Sequence, residues 1–132
     1  MTRRALVLAA CTLLPVGCMP PPVPCARLGG APMLEYQLFF GRGSAAEQDW
    51  AAFVADVVTT RLPDGFTVLD AEGQWMNPAT GRISHEPTKV VVVAVPDGAP
   101  SAAAIMAVKE AWLRRTRQHS VGTVVHPVCG AF

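Results

Sequence analysis

The sequence of 132 residues lacks an N-terminal hydrophobic run long enough to cross a bilayer. The apolar stretch "ALVLAACTLL", which begins at Ala5, is much shorter than the roughly 20 residues that a membrane-spanning helix needs. A stable transmembrane anchor is therefore not predicted.

The sequence also lacks the signatures of several cofactor and metal sites. It has no CxxC pair and no cluster of His and Cys at zinc-binding spacing. The glycines around Arg42 match neither a Walker loop nor a dinucleotide fingerprint, and no nucleophile with a convincing base is spaced near the polar residues of 70–86. We therefore predict no metal, no cofactor and no catalytic residue, and we favour a binding domain over an enzyme.

Positive charge is also in short supply, because the formal net charge is only +1. Loss of the first 17 residues would remove Arg3 and Arg4 and leave the rest close to neutral. A protein that binds the phosphate backbone shows a basic stripe. The small cluster of Arg114, Arg115 and Arg117 lies near the expected end of a helix, where cations complement the helix dipole. We therefore predict no nucleic-acid partner.

The N-terminus has the pattern of an export signal, since the basic patch Met1–Arg4 precedes a short apolar run. The residues "LLPVG" before Cys18 resemble the lipobox of bacterial lipoproteins, although Pro15 stands where the pattern prefers leucine. "LAAC", ending at Cys11, fits the same pattern with a shorter apolar region. We predict a lipoprotein-type signal peptide over residues 1–17 and lipidation of Cys18. Export without a lipid is the alternative, and the Sec and twin-arginine routes both stay open.

Residues 18–32 are predicted to form a tether, because "MPPPVP" favours extended polyproline conformations and offers little apolar surface to a core. Met19 follows Cys18, and its resemblance to the sorting pattern of enterobacterial lipoproteins implies the outer membrane. The predicted partner is the lipid bilayer, and the predicted location is the periplasmic side of the envelope, with a soluble periplasmic or secreted protein as the alternative.

Cys25 and Cys129 lie at opposite ends of the expected domain. An exported protein reaches an oxidising compartment, in which a pair of this kind favours a disulfide. Two unpaired thiols are the alternative.

Residues 33–132 have the periodicities of one α+β domain. "MLEYQLFFG" alternates as a half-buried strand does, and "KVVVVAV" is apolar on both faces, as in a central strand. Ser44 and Glu47 form a predicted capping box that opens a helix. The remaining elements are a helix end at 62–65, a strand from Phe66, a turn at 77–81, a helix over 101–119 and a strand over 121–129.

This order predicts a ferredoxin-like βαββαβ sandwich, with two helices on one face of a four-stranded antiparallel sheet. The second choice is another α+β sandwich with an extra short strand over Arg82–Ser84.

Three stretches also carry a family resemblance: "YQLFFGR" at 36–42, "PDGFTVLDAEGQW" at 63–75 and "EPTKVVVV" at 86–93. They are similar to motifs of a family of small exported bacterial proteins classed as a domain of unknown function. The resemblance implies an exported, often lipoprotein-like protein, and it implies no reaction.

Arg42, Gly43 and Ser44 are the candidate anion-binding residues, because they lie where a strand runs into a helix N-terminus. Free backbone N–H groups and a guanidinium bind carboxylates and phosphates. The alternative is a turn in which Ser44 caps the helix and Arg42 is solvated or paired with a carboxylate.

The sheet face away from the helices is expected to be unusually apolar. Phe39, one side of the strand 90–95 and His126 lie on it, beside Glu35 and Gln37. Such a patch indicates a partner or a ligand groove, and we favour a homodimer.

Polar residues around the predicted hairpin form a weaker candidate for acid–base chemistry. Solvated strand ends and a Trp75 that packs over the core edge are the favoured interpretation. The set comprises Asp70, Glu72, Gln74, Trp75, Arg82, His85 and Glu86.

Two functions follow from the sequence. The first is an envelope-tethered binding or interaction domain. The alternative is an enzyme that acts on a small anionic substrate held by Arg42 and the following helix N-terminus, with a hairpin carboxylate or His85 as base.

Overall fold

A computed structural model describes residues 25–77 and 79–132 of the chain. The predicted signal peptide over 1–17, Cys18 and the first part of the predicted tether lie outside the described residues. The described fold starts before the predicted boundary at Met33, since Cys25–Leu28 form a 3₁₀ turn and the first strand begins at Ala31. None of the helices in these two ranges is both long and apolar enough for a membrane crossing.

Four antiparallel strands form a single sheet in the order β2-β3-β1-β4. β3 is an inner strand of the sheet, which confirms the prediction for its valine-rich stretch. Val91, Val93 and Val95 are buried in the core, whereas Val92 and Ala94 lie on the other face and are only partly buried. The strands are β1 (Ala31–Gly41), β2 (Thr67–Met76), β3 (Ile83–Val95) and β4 (Gly122–Gly130).

Two helical segments complete the predicted βαββαβ order. The first helix runs from Glu47–Phe53 through a π-helical turn, Val54–Val58, and ends with Thr59–Arg61. The second helix is Ala99–Arg115. The ferredoxin-like α+β fold is therefore confirmed. The second choice, with an extra strand over Arg82–Ser84, is wrong. Ile83 and Ser84 belong to β3 itself, where they pair with Met76 and Trp75 of β2.

Both helix boundaries differ from the prediction. The capping box of Ser44 and Glu47 is wrong, because Ala46 is the N-cap and its N–H donates to Asp49 Oδ2 at 2.8 Å. The second helix ends before His119. Its last residue is Arg115, and the C-cap residue Thr116 has an extended backbone. The Thr116 hydroxyl donates to the carbonyl of Trp112 at 3.0 Å.

An aromatic cluster fills the core between the sheet and the helices. Neighbouring ring centroids in this cluster are 4.9 to 6.0 Å apart, a separation typical of favourable aromatic pairs. Leu38 and Phe40 of β1 are fully buried, which confirms the predicted alternation of that strand. The cluster consists of Phe40, Trp50, Phe53 and Trp112.

The predicted disulfide between Cys25 and Cys129 is confirmed. It joins the turn before β1 to the end of β4, across 104 residues of sequence. Ala31 of β1 already pairs with Gly130 of β4. The disulfide therefore adds a covalent bond at the end of the β1–β4 ladder.

Candidate functional site: two clefts separated by Glu86

The turn between β1 and the first helix is fixed by backbone hydrogen bonds. The Arg42 N–H donates to the carbonyl of Pro87 at 3.0 Å, and the Ala45 N–H donates to the carbonyl of Arg42 at 2.8 Å. Gly43 has a φ of +52°, a conformation that favours glycine. The "FGRG" sequence therefore sets the direction in which the Arg42 side chain leaves the sheet.

Two of the three predicted anion-binding residues, Arg42 and Gly43, contact carboxylates of the protein itself. The Gly43 N–H donates to Glu86 Oε2 at 2.8 Å, and Arg42 Nη1 lies 2.6 Å from Glu47 Oε2. Gln118 Nε2 donates to the same Glu86 oxygen at 2.6 Å. Ser44 does not cap the helix and instead lines a cleft. The N–H of Gly43 is thus already engaged.

Lys89 shares the carboxylate of Glu47 with Arg42. Its Nζ lies 2.7 Å from Glu47 Oε1 and 2.6 Å from Asp70 Oδ1, and the lysine side chain is only 7% exposed. The hydrogen bonds to Asp70 and Glu47 raise the pKa of Lys89 against the opposing effect of burial. The hydrogen bond from Lys89 lowers the pKa of Asp70. Glu47 therefore balances two cations.

We call the larger cleft, of about 740 Å³, the arginine cleft. It lies between the β1–helix turn and the end of the second helix. Arg42, Arg115 and Arg117 line it, against a single carboxylate from Asp49. Arg115 also pairs with Asp56 at 3.1 Å.

The guanidinium of Arg42 has an unused donor. Its side chain is 16% exposed, and its buried Nε has no hydrogen-bond partner in the described part of the chain. A buried donor without a partner costs about 1–3 kcal/mol. This orphan N–H lies on a residue that lines the arginine cleft.

The second cleft, of about 510 Å³, includes residues at one end of the open sheet face, and we call it the tryptophan cleft. Trp75 and Met76 of β2, Glu86 of β3, and His119 line it, together with Gly41. Gln118 contributes to both clefts, so the Glu86–Gln118 hydrogen bond lies at the wall between them.

The predicted acid–base set does not form one site. Trp75 and Glu86 line the tryptophan cleft, whereas Asp70 pairs with Lys89. Gln74 is the register partner of His85, and both are exposed. The remaining two members, Glu72 and Arg82, are exposed as well.

The open sheet face has the apolar character that the sequence predicted. Phe39 lies between Val90 and Gly122 in register, and a Cβ on that glycine would lie 3.2 Å from the Phe39 Cβ. His126 Nε2 lies 3.3 Å from Glu35 Oε1. Leu69 and Val124 are half exposed on the same face.

Among the residues that the structure describes, no group of three or more His, Cys, Asp or Glu side chains could hold a metal ion. Neither cleft thus presents a metal-binding cluster of this kind within those residues.

Comparison with known proteins gives the family and the fold. Residues 35–132 match the family described as "Protein of unknown function (DUF3574)", and the chain belongs to this family. No curated protein matches the chain.

One solved structure with a similar fold is a phage SAM lyase in complex with S-methyl-5'-thioadenosine. It is 12% identical, with a TM-score of 0.56 over 74% of this chain and 90% of that chain. At this identity the similarity shows the fold alone.

Proposed function

We propose that this protein is an exported, lipid-tethered binding protein whose domain holds a small anionic ligand in the arginine cleft. The observation that carries the proposal is the convergence of three arginines on one cleft, one of which has a buried Nε without a partner. Carboxylates and phosphates match the planar fork of a guanidinium, and charge-assisted hydrogen bonds to them are about twice as strong as neutral ones.

The charges around the cleft support this ligand class. Glu47 lies within pairing distance of both Arg42 and Lys89, so it does not fully neutralise Arg42. Arg117 makes no ion pair with the described residues and contributes a further cation. A ligand with an oxyanion would supply acceptors for donors that the protein leaves without a partner.

The Arg117→Ala variant tests this assignment. Titrated with inorganic phosphate or succinate by calorimetry, the full-length protein is expected to bind at least one of these probes. Loss of a charge-assisted hydrogen bond should weaken that affinity by about tenfold or more.

Arg114→Ala is the matched control. Arg114 lies at the same end of the second helix, is 68% exposed and pairs with Glu110, but it does not line the cleft. Its affinity should equal that of the parent. Equal losses in both variants, or no binding of either probe, would contradict an anion site in the arginine cleft.

The lipid tether is proposed from the sequence around Cys18. The disulfide between Cys25 and Cys129 supports export, because disulfides persist in oxidising compartments. Multiple acyl chains anchor a protein stably, since each buried methylene contributes about 0.8 kcal/mol. The proposed location is the periplasmic side of the envelope, at the outer membrane.

Intact mass of the membrane-extracted protein tests the tether. We expect an N-terminal Cys18 that carries a diacylglyceryl group, and a Cys18→Ser protein that leaves the membrane fraction. A chain with an unmodified N-terminus at another residue would exclude the tether while leaving the anion site untouched.

A homodimer through the open sheet face is a further part of the proposal. The half-exposed Leu69 and Val124 give that face apolar surface that a second copy would cover. Light scattering should report a dimer for the parent and a monomer for Leu69→Lys. Met106→Lys is the control, because Met106 is 50% exposed on the second helix; a parent that is monomeric would refute this part.

An enzyme acting on a small anionic substrate is the second candidate. The observation that favours it is the position of Glu86, a hairpin carboxylate hydrogen-bonded to Gly43 and Gln118, both of which line the arginine cleft. Chemical change of a bound anion, lost in Glu86→Gln, would favour this candidate over a binding protein.

A further inference from the structure

We infer that the tryptophan cleft is a second binding site, which takes an organic ammonium group attached to an apolar body. The site is separate from the arginine cleft and stands on its own observations. These are a glycine that leaves room beside a carboxylate, an oxygen of that carboxylate without a protein donor, and an exposed indole that a second glycine makes room for.

Two strand glycines leave room for side chains that line the tryptophan cleft, and Gly41 also lines the cleft itself. Gly73 of β2 is the register partner of Glu86, and Gly41 of β1 is the partner of Thr88. A Cβ on Gly41 would lie 2.5 Å from Glu86 Oε1, and one on Gly73 would lie 2.5 Å from Thr88 Oγ1 and 2.9 Å from Trp75 Nε1. Glycine within a strand is typical of such close approaches.

The carboxylate of Glu86 is only half used by the protein. Both of its hydrogen bonds reach Oε2, from the neutral donors Gly43 N–H and Gln118 Nε2. Within the described residues, Oε1 accepts no hydrogen bond and the carboxylate makes no ion pair. The group is therefore fixed in position and has the acceptor that a cation needs.

The indole of Trp75 supplies the second recognition element. Trp75 is 43% exposed, whereas Trp50 and Trp112 are buried in the core. A cation over the face of a tryptophan is attracted by the quadrupole of the ring. Met76, which is 66% exposed, adds adaptable apolar surface at the same cleft.

The chemistry of this cleft selects an organic ammonium over other ligands. Glu86 is the only carboxylate among the described residues that line it, and no arginine or lysine does so, which disfavours an anion. The described residues offer no cluster of three metal ligands here. An ammonium group would donate to Glu86 Oε1 while its apolar body contacts Trp75 and Met76. An anion or a metal ion would leave this carboxylate oxygen or this apolar surface without a partner.

Phenethylammonium is the probe, and 2-phenylethanol is its neutral isostere. The indole N–H signal of Trp75 in the ¹H–¹⁵N spectrum of the full-length protein reports binding, because the chain has only three tryptophans and two are in the core. We expect a saturable shift of the Trp75 signal with phenethylammonium, and at least tenfold weaker binding of the alcohol.

Glu86→Gln keeps an oxygen that can accept from Gly43 and Gln118, so the fold should persist while the charge is removed. Its affinity for phenethylammonium should fall by about tenfold or more. Glu72→Gln is the control, since Glu72 is an exposed β2 carboxylate outside the cleft. A Trp75 signal that does not move, equal binding of the alcohol, or a Glu86→Gln affinity equal to the parent's would overturn the inference.

Discussion

Replacing Trp112 by alanine should lower the free energy of unfolding by about 3–5 kcal/mol, the range for loss of a buried aromatic side chain. Trp112 is 1% exposed and contacts three other rings, with its centroid 4.9 Å from that of Phe53. Its indole N–H also donates to the carbonyl of Gly41 at 3.0 Å. The substitution removes packing and leaves that carbonyl without its donor, so the two losses add.

Trp75→Ala is the matched control for this experiment, because it deletes the same side chain from a 43% exposed position. We expect it to change the unfolding free energy by about 1 kcal/mol or less. Urea denaturation followed by far-UV circular dichroism measures both variants. A Trp112→Ala protein as stable as Trp75→Ala would show that the aromatic cluster is not the core of the fold.

Removing the disulfide by Cys25→Ser and Cys129→Ser should cost about 2–5 kcal/mol. The bond closes 104 residues of sequence, so it restricts the unfolded chain strongly. In the folded state it joins the turn before β1 to the end of β4, where few side chains are buried. The residue pairs of the β1–β4 ladder that lie nearest the disulfide, from Ala31 and Gly130 onwards, should therefore open first in the double variant.

The reducing agent dithiothreitol separates the disulfide from other effects of the two substitutions. It should destabilise the parent to the level of the double variant, and it should leave the double variant unchanged. If the parent were equally stable with and without dithiothreitol, the disulfide would contribute nothing to folding. Exchange of the amide hydrogens of β1 and β4, which all their residues except Pro32 and Pro127 carry, would locate the change.

The fold was predictable because local patterns and global packing agree in this chain. The alternation from Leu34 to Phe40 is typical of a strand with one buried face. The stretch Lys89–Val95 is apolar on both faces, which favours an inner strand of the sheet. The helix starts were less predictable. Ser44 followed by Glu47 matches a capping box, yet Glu47 is recruited by Arg42 and Lys89, and Lys89 lies 42 residues away in sequence.

The candidate site was only partly predictable. Arg42 and Gly43 were identified from a local motif, whereas Arg115 and Arg117 were attributed to the helix dipole. Their approach to Arg42 depends on the packing of the second helix, which no local pattern encodes. Gly41 and Gly73 carried a signal that the prediction did not use, since each is a glycine inside a strand and each marks a close contact with another side chain.

The most direct test of the arginine cleft is the Nε–H signal of Arg42 in ¹H–¹⁵N spectra, assigned with Arg42→Lys and followed as phosphate or succinate is added. That N–H lacks a partner in the described structure, so anion binding should shift its signal saturably, while the Nε–H of the exposed Arg114 stays in place. A stationary Arg42 signal, or equal unsaturable shifts at Arg42 and Arg114, would contradict a specific anion site in this cleft.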